Sequence, residues 1–404
     1  MAESTELITQ QYVQLALAIE QHMPGYIDAY HGPAEWKQAA ETVGLRPVAE
    51  LAKETAYLAE TIANKTEMNP QRHDFLMKHI YAMQTNLRLF QGEELSLAEE
   101  TKALYDITPE WIDEAIFKEA HQFLDELLPP GDSLAERMAV RKEATELPLE
   151  QAESVLYEII MELRQRTQKR FPLPPGESFE LQLVTNQPWK AYNWYLGNFR
   201  SRIDINTDLP LHITRLTDLM AHEGYPGHHT ELSLKERHLV GEKGYIEHSI
   251  ALINSPSCVV SEGIATRALS TLMMDEEKIE WYTNLFAWAG FDHLDARREH
   301  EIDMVLQKLS GVHGNAAFLL HDQRADKDEV MAYTQTYGLW NEKEALKGIE
   351  FLSQPLNRSY IFTYHYGGEM LDALFAAQDD RDHWFRRLLR EPITPSQIQT
   401  WAKG

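Results

Sequence analysis

The chain has 404 residues, of which 43% are hydrophobic, enough for a sizeable buried core. Acidic residues number 63 against 38 Lys and Arg, and the net charge of −25 disfavours nucleic acids and anionic membrane surfaces as partners. A single cysteine excludes an internal disulfide and a cysteine-based zinc cluster. The N-terminus lacks a signal-peptide pattern, and no stretch approaches the ~18 apolar residues of a membrane span, so we expect a cytoplasmic protein.

Most of the chain is predicted to be helical. Apolar residues recur every three or four positions in residues 6–22, 47–64, 73–91, 109–127 and 150–169. Prolines and glycines separate these segments, as expected between helices.

A small antiparallel sheet is predicted after the proline-rich stretch at 172–176. Polar and apolar residues alternate over 180–184 and 199–205, and residues 193–197 are mostly aromatic. Helices resume near Pro210. The predicted fold class is therefore mainly α with a small antiparallel β-sheet.

The proline-rich stretch also suggests a division of the chain. An N-terminal helical part, 1–170, would precede a part, 171–404, that contains the sheet and the motifs described next. Both parts can equally belong to one continuous compact domain.

The sequence LMAHEGYPGHHTE holds the residues with the clearest chemistry. The metalloprotease pattern H-E-x-x-H places two histidine ligands one helical turn apart, with the glutamate as general base. Here Pro226 replaces the second histidine and lacks a backbone donor, so the helix must kink or break. We interpret the motif as a zinc helix with a two-residue insertion, in which His222 and His228 are ligands and Glu223 is the base.

His229 is the alternative second ligand. On an ideal helix it would share the face of His222, but about 10.5 Å further along the axis. That separation is awkward for nitrogens that must each lie ~2.1 Å from one zinc ion. We therefore favour His228 as ligand and expect His229 to support the site or contact substrate.

A third ligand is expected, because catalytic zinc usually takes three protein ligands and leaves a position for water. Ser255 followed by Pro256 predicts a helix start. Glu262 then falls on the apolar stripe of that helix, where a carboxylate is costly unless a charge or metal compensates it. Gly263 beside it permits close approach of another helix.

The motif H-E-G-Y-P-G-H-H with a downstream E-G-I-A resembles a bacterial family of unknown function, marked by H-E-x-x-P-G-H-H and E-G-W-A and related to gluzincin metallopeptidases. The resemblance implies a large helical, zincin-like metallohydrolase that binds one Zn²⁺ through His222, His228 and Glu262, with Glu223 as general base. Ile264 stands where the family usually has Trp, which puts the shape of the local pocket in question.

A late Tyr-x-x-Gly of that family matches Tyr364 to Gly367. By this resemblance Tyr364 would stabilise the transition-state oxyanion, with Arg358 and His365 as further candidates. A packed core aromatic is the alternative reading of Tyr364.

The expected function is zinc-dependent hydrolysis, with short peptides as favoured substrates. Zinc would activate a water molecule, and Glu223 would take the water proton and pass it to the leaving amine. Strand 199–205 would pair with an extended peptide. The alternatives are a zinc hydrolase of another amide or ester, a metal-containing binding protein without turnover, and a helical scaffold without metal.

Overall fold

The structure, a computed structural model, describes residues 4–403. The α-helices are Thr5–Glu20 (α1), Ala34–Val43 (α2), Val48–Ala63 (α3), Pro70–Phe90 (α4), Leu97–Tyr105 (α5), Glu114–Leu127 (α6), Leu134–Thr145 (α7), Leu149–Arg170 (α8), Ile213–Glu223 (α9), His228–Lys235 (α10), Pro256–Thr266 (α11), Ala268–Leu272 (α12), Asp275–Trp288 (α13), Ala296–Gln307 (α14), Gly311–His321 (α15), Lys327–Gly338 (α16), Glu342–Leu352 (α17), Phe362–Ala377 (α18), Arg381–Leu388 (α19) and Pro395–Ala402 (α20). The strands are Ile27–Tyr30 (β1), Ser178–Val184 (β2), Ala191–Gly197 (β3), Arg200–Asn206 (β4) and Ile250–Leu252 (β5).

The prediction of a mainly helical fold with a small sheet is confirmed. The helical segments expected in the first 170 residues overlap α1, α3, α4, α6 and α8. Sequence analysis missed α2, α5 and α7. No side chain of α2 is buried, and α5 and α7 have only nine and twelve residues.

The three-stranded sheet has the order β2-β4-β3. The pair β3 and β4 is antiparallel, as predicted, whereas β2 runs parallel to β4 and makes the sheet mixed. Strand β4 is therefore bonded on both sides. The expectation that residues 199–205 pair with a substrate peptide is wrong, because no edge of that strand is free.

Buried apolar side chains of residues 4–403 form three clusters, and each combines residues from both sides of residue 170. The largest cluster packs α8, α9, α11 and α18 together. A second one joins α1, α3 and α4 to β5. No helix within residues 4–403 is long and apolar enough to span a membrane.

Helices α11 and α18 approach closely through two glycines. A Cβ on Gly263 would lie 2.7 Å from the carbonyl oxygen of Gly367, and one on Gly367 would lie 2.5 Å from that of Val259. Larger residues would force the helices apart. The expected close approach at Gly263 is thus observed, and it brings the segment around Tyr360 and Tyr364 beside Glu262.

Candidate metal centre

The helix that carries His222 breaks where the sequence predicts it. Helix α9 ends at Glu223, and α10 begins at His228 after a turn that contains Pro226. Gly227 passes so close to the preceding turn that a Cβ there would lie 1.8 Å from the backbone oxygen of His222. Only glycine fits at this position. The backbone turns back towards the end of α9 here, and this turn sets the His228 ring beside that of His222.

Three predicted ligands converge. Nε2 of His228 lies 3.2 Å from Nε2 of His222. Nε2 of His228 also lies 3.6 Å from Oε1 of Glu262, and Nε2 of His222 lies 3.4 Å from Oε2 of the same carboxylate. Tetrahedral ligands about 2.0–2.2 Å from a zinc ion are themselves about 3.3–3.6 Å apart. Within residues 4–403 this is the one group of His, Cys, Asp and Glu side chains arranged to hold a metal ion.

Burial and unsatisfied hydrogen bonding also fit a metal. The side chains of His222 and His228 are 20% and 16% exposed, so both remain partly accessible to solvent, whereas Glu262 is only 4% exposed. The Tyr360 hydroxyl donates to Glu262 Oε1 at 2.5 Å, but the buried Oε2 has no hydrogen-bond partner among the described residues. A buried carboxylate oxygen without a partner is costly, and a bound cation removes that cost.

The charges at the centre support one another. Burial alone would raise the pKa of Glu262, but His228, His222 and the Tyr360 hydroxyl outweigh it and hold that pKa below its usual value. Burial alone would lower the pKa of His222, but the adjacent carboxylate of Glu262 raises it. Glu262 is therefore an anion in this setting, as a metal ligand must be.

His228 is oriented from behind by a chain of polar side chains. Its Nδ1 lies 3.1 Å from Oγ of Ser261, whose hydroxyl donates to Glu231 at 2.6 Å. Lys235 donates in turn to Glu231 at 2.5 Å. Because the serine proton points to the carboxylate, Ser261 accepts from Nδ1–H, and the lone pair of His228 Nε2 is left facing His222 and Glu262.

His229 faces away from His222, His228 and Glu262. Its Nε2 lies 3.0 Å from Glu177, and its Nδ1 lies 2.8 Å from the Ser201 hydroxyl. The Tyr225 hydroxyl donates to the same Glu177 oxygen at 2.6 Å. Burial lowers the pKa of His229, so a neutral imidazole donates to a carboxylate here. The residue anchors α10 to the sheet.

Glu223 lies next to His222 with its backbone fixed by the sheet. The Asn193 side chain on β3 donates to the backbone oxygen of Glu223 at 2.7 Å. Burial raises the pKa of the Glu223 carboxyl, against the opposing charges of His222 and His228. A raised pKa suits a group that must accept a proton and release it again.

Two tyrosines of the Arg358–Tyr364 region flank the centre. The ring of Tyr364 stacks near that of His222, with 6.3 Å between centroids and 25° between planes. Burial, together with the charges of Glu262 and Glu223, raises the pKa of Tyr364, so its hydroxyl stays protonated and can donate. Tyr360, by contrast, holds Glu262.

Arg358 and His365 have other partners. The Arg358 guanidinium forms a two-pronged ion pair with Glu100 on α5. His365 lies 3.1 Å from the Ser310 hydroxyl and 3.2 Å from Glu369. These contacts give no support to the expectation that either side chain stabilises an oxyanion, because both are held by groups outside the centre.

Sequence analysis missed the residues that orient the candidate ligands. Ser261 directly precedes Glu262, and Glu231 follows His228 by three positions on one helix face, so their spacing was a readable signal. Glu177 and Tyr360 gave no such signal, since only the fold brings them to their partners.

The fold resembles solved structures at low sequence identity. A candidate lipoprotein from Colwellia psychrerythraea gives a TM-score of 0.54 at 15% identity, covering 91% of this chain and 72% of its own. A candidate lipoprotein of unknown function from Shewanella oneidensis gives 0.51 at 13% identity, covering 91% of this chain and 76% of its own. These likenesses concern the fold alone.

A third likeness is weaker. The M32 carboxypeptidase from Deinococcus radiodurans R1 gives a TM-score of 0.42 at 9% identity, covering 98% of this chain and 94% of its own, which is too distant to bear on function. No family model and no curated protein matches the sequence.

Proposed function

We propose that this protein is a zinc-dependent hydrolase that cleaves short peptides. The observation that carries the proposal is the triangle of His222, His228 and Glu262, whose ligand atoms have the spacing of tetrahedral zinc ligands and include a buried oxygen without a partner. A zinc ion held there supplies Lewis-acid chemistry, which makes water a stronger acid and a carbonyl a better electrophile.

The chain's own residues supply the proton transfers and the polar contacts. Glu223, with its raised pKa, takes the proton of the attacking water and delivers it to the leaving amine. Tyr364, protonated and beside His222, donates a hydrogen bond to the oxygen that becomes negative.

An edge strand supports a peptide as the substrate. Strand β3 lies at the edge of its sheet, and its Asn193 bonds to the backbone of Glu223. Backbone groups on such an edge can pair with an extended peptide. The alternative substrate is an amide or ester that is not a peptide. Such a substrate would not need to pair with the edge of β3.

The test joins metal analysis to a screen of short peptides. Purified protein should contain about one zinc per chain, and the zinc-loaded form should cleave at least some peptides. Glu223→Gln should keep the metal and lose about 10²- to 10⁴-fold in kcat, because the proton acceptor is gone. A zinc-loaded Glu223→Gln protein with undiminished peptide cleavage would contradict the role of Glu223, and a metal-free active protein would contradict the proposal.

A further inference from the structure

A carboxylate from the N-terminal part of the chain stands near the candidate metal centre. Asp28 lies on β1 where the pairing with β5 shifts register between Ile27 and Ala29, so it occupies a bulge. The Tyr192 hydroxyl on β3 donates to one oxygen of Asp28. The other oxygen has no hydrogen-bond partner among residues 4–403, and the residue is partly exposed.

Two connections set this carboxylate beside the centre. Strand β1, which carries Asp28, packs against β3, whose Asn193 bonds to the backbone of Glu223. Strand β5, to which β1 is paired, leads within a few residues into the helix of Glu262. The electrostatic interactions of Asp28 also indicate that it lies near the centre. Burial raises its pKa, the charge of His228 lowers it, and the charge of Glu262 raises it.

Two tryptophan rings flank Tyr192, one just before β3 and one within it. The Tyr192 ring lies 5.6 Å from that of Trp189 and 4.4 Å from that of Trp194, and all three side chains are partly exposed. One of these rings already holds a cation, since the Arg202 guanidinium lies 5.5 Å from the Trp194 ring. Ring faces beside a carboxylate are a setting that favours a cation.

We propose that Asp28 and the Tyr192 ring bind the ammonium group of the substrate, so that the preferred substrates are peptides with a free amino terminus. This inference rests on the proposed peptidase function for the identity of its ligand. A half-buried carboxylate has lost part of its hydration, and an ammonium group that donates to the free oxygen of Asp28 compensates that loss.

The test is a binding measurement that needs no turnover. Full-length, zinc-loaded Glu223→Gln protein is titrated by calorimetry with Ala-Ala-Ala-amide, its N-acetylated form, and acetyl-Lys-Ala-Ala-amide. The free-amine probe should bind about 10- to 100-fold more tightly than the acetylated one, as expected for a charge-assisted hydrogen bond. Adding Asp28→Asn should shrink that ratio to less than about 3-fold.

Several results would overturn the inference. One is equal affinity for the first two probes, a comparison that does not require the Asp28 variant to fold. Another is a preference that survives in folded, zinc-loaded Asp28→Asn. Tighter binding of the lysine probe than of the free-amine probe would assign the recognised ammonium to a side chain and overturn the amino-terminal assignment.

The control separates this inference from the proposed function. Glu35→Gln, an exposed acid on α2, should change neither the affinity ratio nor the zinc content. If zinc-loaded wild-type protein cleaves none of the three probes or any other short peptide, the proposed function fails, and the binding ratio still decides whether Asp28 recognises an ammonium group.

Discussion

The Nε2 atoms of His222 and His228 face each other at 3.2 Å although a helix break separates them along the chain. Two neutral imidazoles gain little from this arrangement, because their lone pairs repel unless a proton or a cation lies between them. Glu262 completes the set from α11. The break at Pro226 therefore builds the site, since a continuous helix would have carried His228 away from His222.

The two adjacent histidines should respond differently to substitution. His228→Ala should abolish zinc binding, because it removes a ligand. His229→Ala should retain zinc, with affinity reduced by ~10- to 100-fold at most, and should lower the free energy of unfolding by about 1–3 kcal/mol, since the buried Glu177 loses a donor. Zinc content and urea unfolding measure both effects. His238→Ala, a partly buried histidine paired with Glu242, is the matched control.

Ser261 should influence the metal without touching it. Ser261→Ala removes the hydroxyl that links His228 to Glu231, and we expect zinc affinity to fall ~10- to 100-fold in competition with a chelator. Ser257→Ala is the matched control, because Ser257 lies on the same helix but contacts His79. Unchanged zinc affinity in Ser261→Ala would show that this chain of side chains does not orient His228.

Changing each of three neighbouring tyrosines to Phe should have a different effect on kcat and zinc binding. Tyr364→Phe should lower kcat by ~10²- to 10³-fold at constant zinc content, the effect of losing one oxyanion donor. Tyr360→Phe should weaken zinc binding, because Glu262 loses its donor. Tyr366→Phe should do neither, since its hydroxyl accepts from the backbone of Glu110. An unchanged kcat in Tyr364→Phe would make that residue a packing aromatic.

Stability should depend on pH through His79. This buried imidazole stacks on Phe75 at 3.8 Å, and burial lowers its pKa to about 3. Because the unfolded pKa is about 6.5, its contribution to stability is present above that pH. It is lost at ~1.4 kcal/mol per pH unit as the pH falls towards the folded pKa.

Urea unfolding of the metal-free protein at several pH values between 6.5 and 4.5 measures this slope. His79→Gln should show a slope smaller by that amount, because the titrating group is gone. Equal slopes in the two proteins would mean that His79 titrates normally in the folded state.

Local spacing identified those residues of the candidate site that lie near one another in sequence. The Pro226 break, the pair His222 and His228, and the small residue next to Glu262 could all be read from short segments. Partners joined only by the fold could not. Glu177 meets His229 across 52 positions, and Asp28 meets Tyr192 across 164.

The order of the strands in the sheet also could not be predicted from the sequence. Alternation predicts that β2, β3 and β4 are strands, but it does not say which one lies in the middle. Strands β1 and β5 have four and three residues, too few for any periodicity to show, although their pairing sets Asp28 near the centre.

The central claim is that His222, His228 and Glu262 together hold one zinc ion. Anomalous diffraction from crystals of the zinc-loaded protein, collected on both sides of the zinc absorption edge, tests it most directly. We predict a single strong difference peak about 2.0–2.2 Å from Nε2 of both histidines and from a carboxylate oxygen of Glu262. The absence of a peak at these three residues, or a peak bonded to His229 with His228 turned away, would contradict the account.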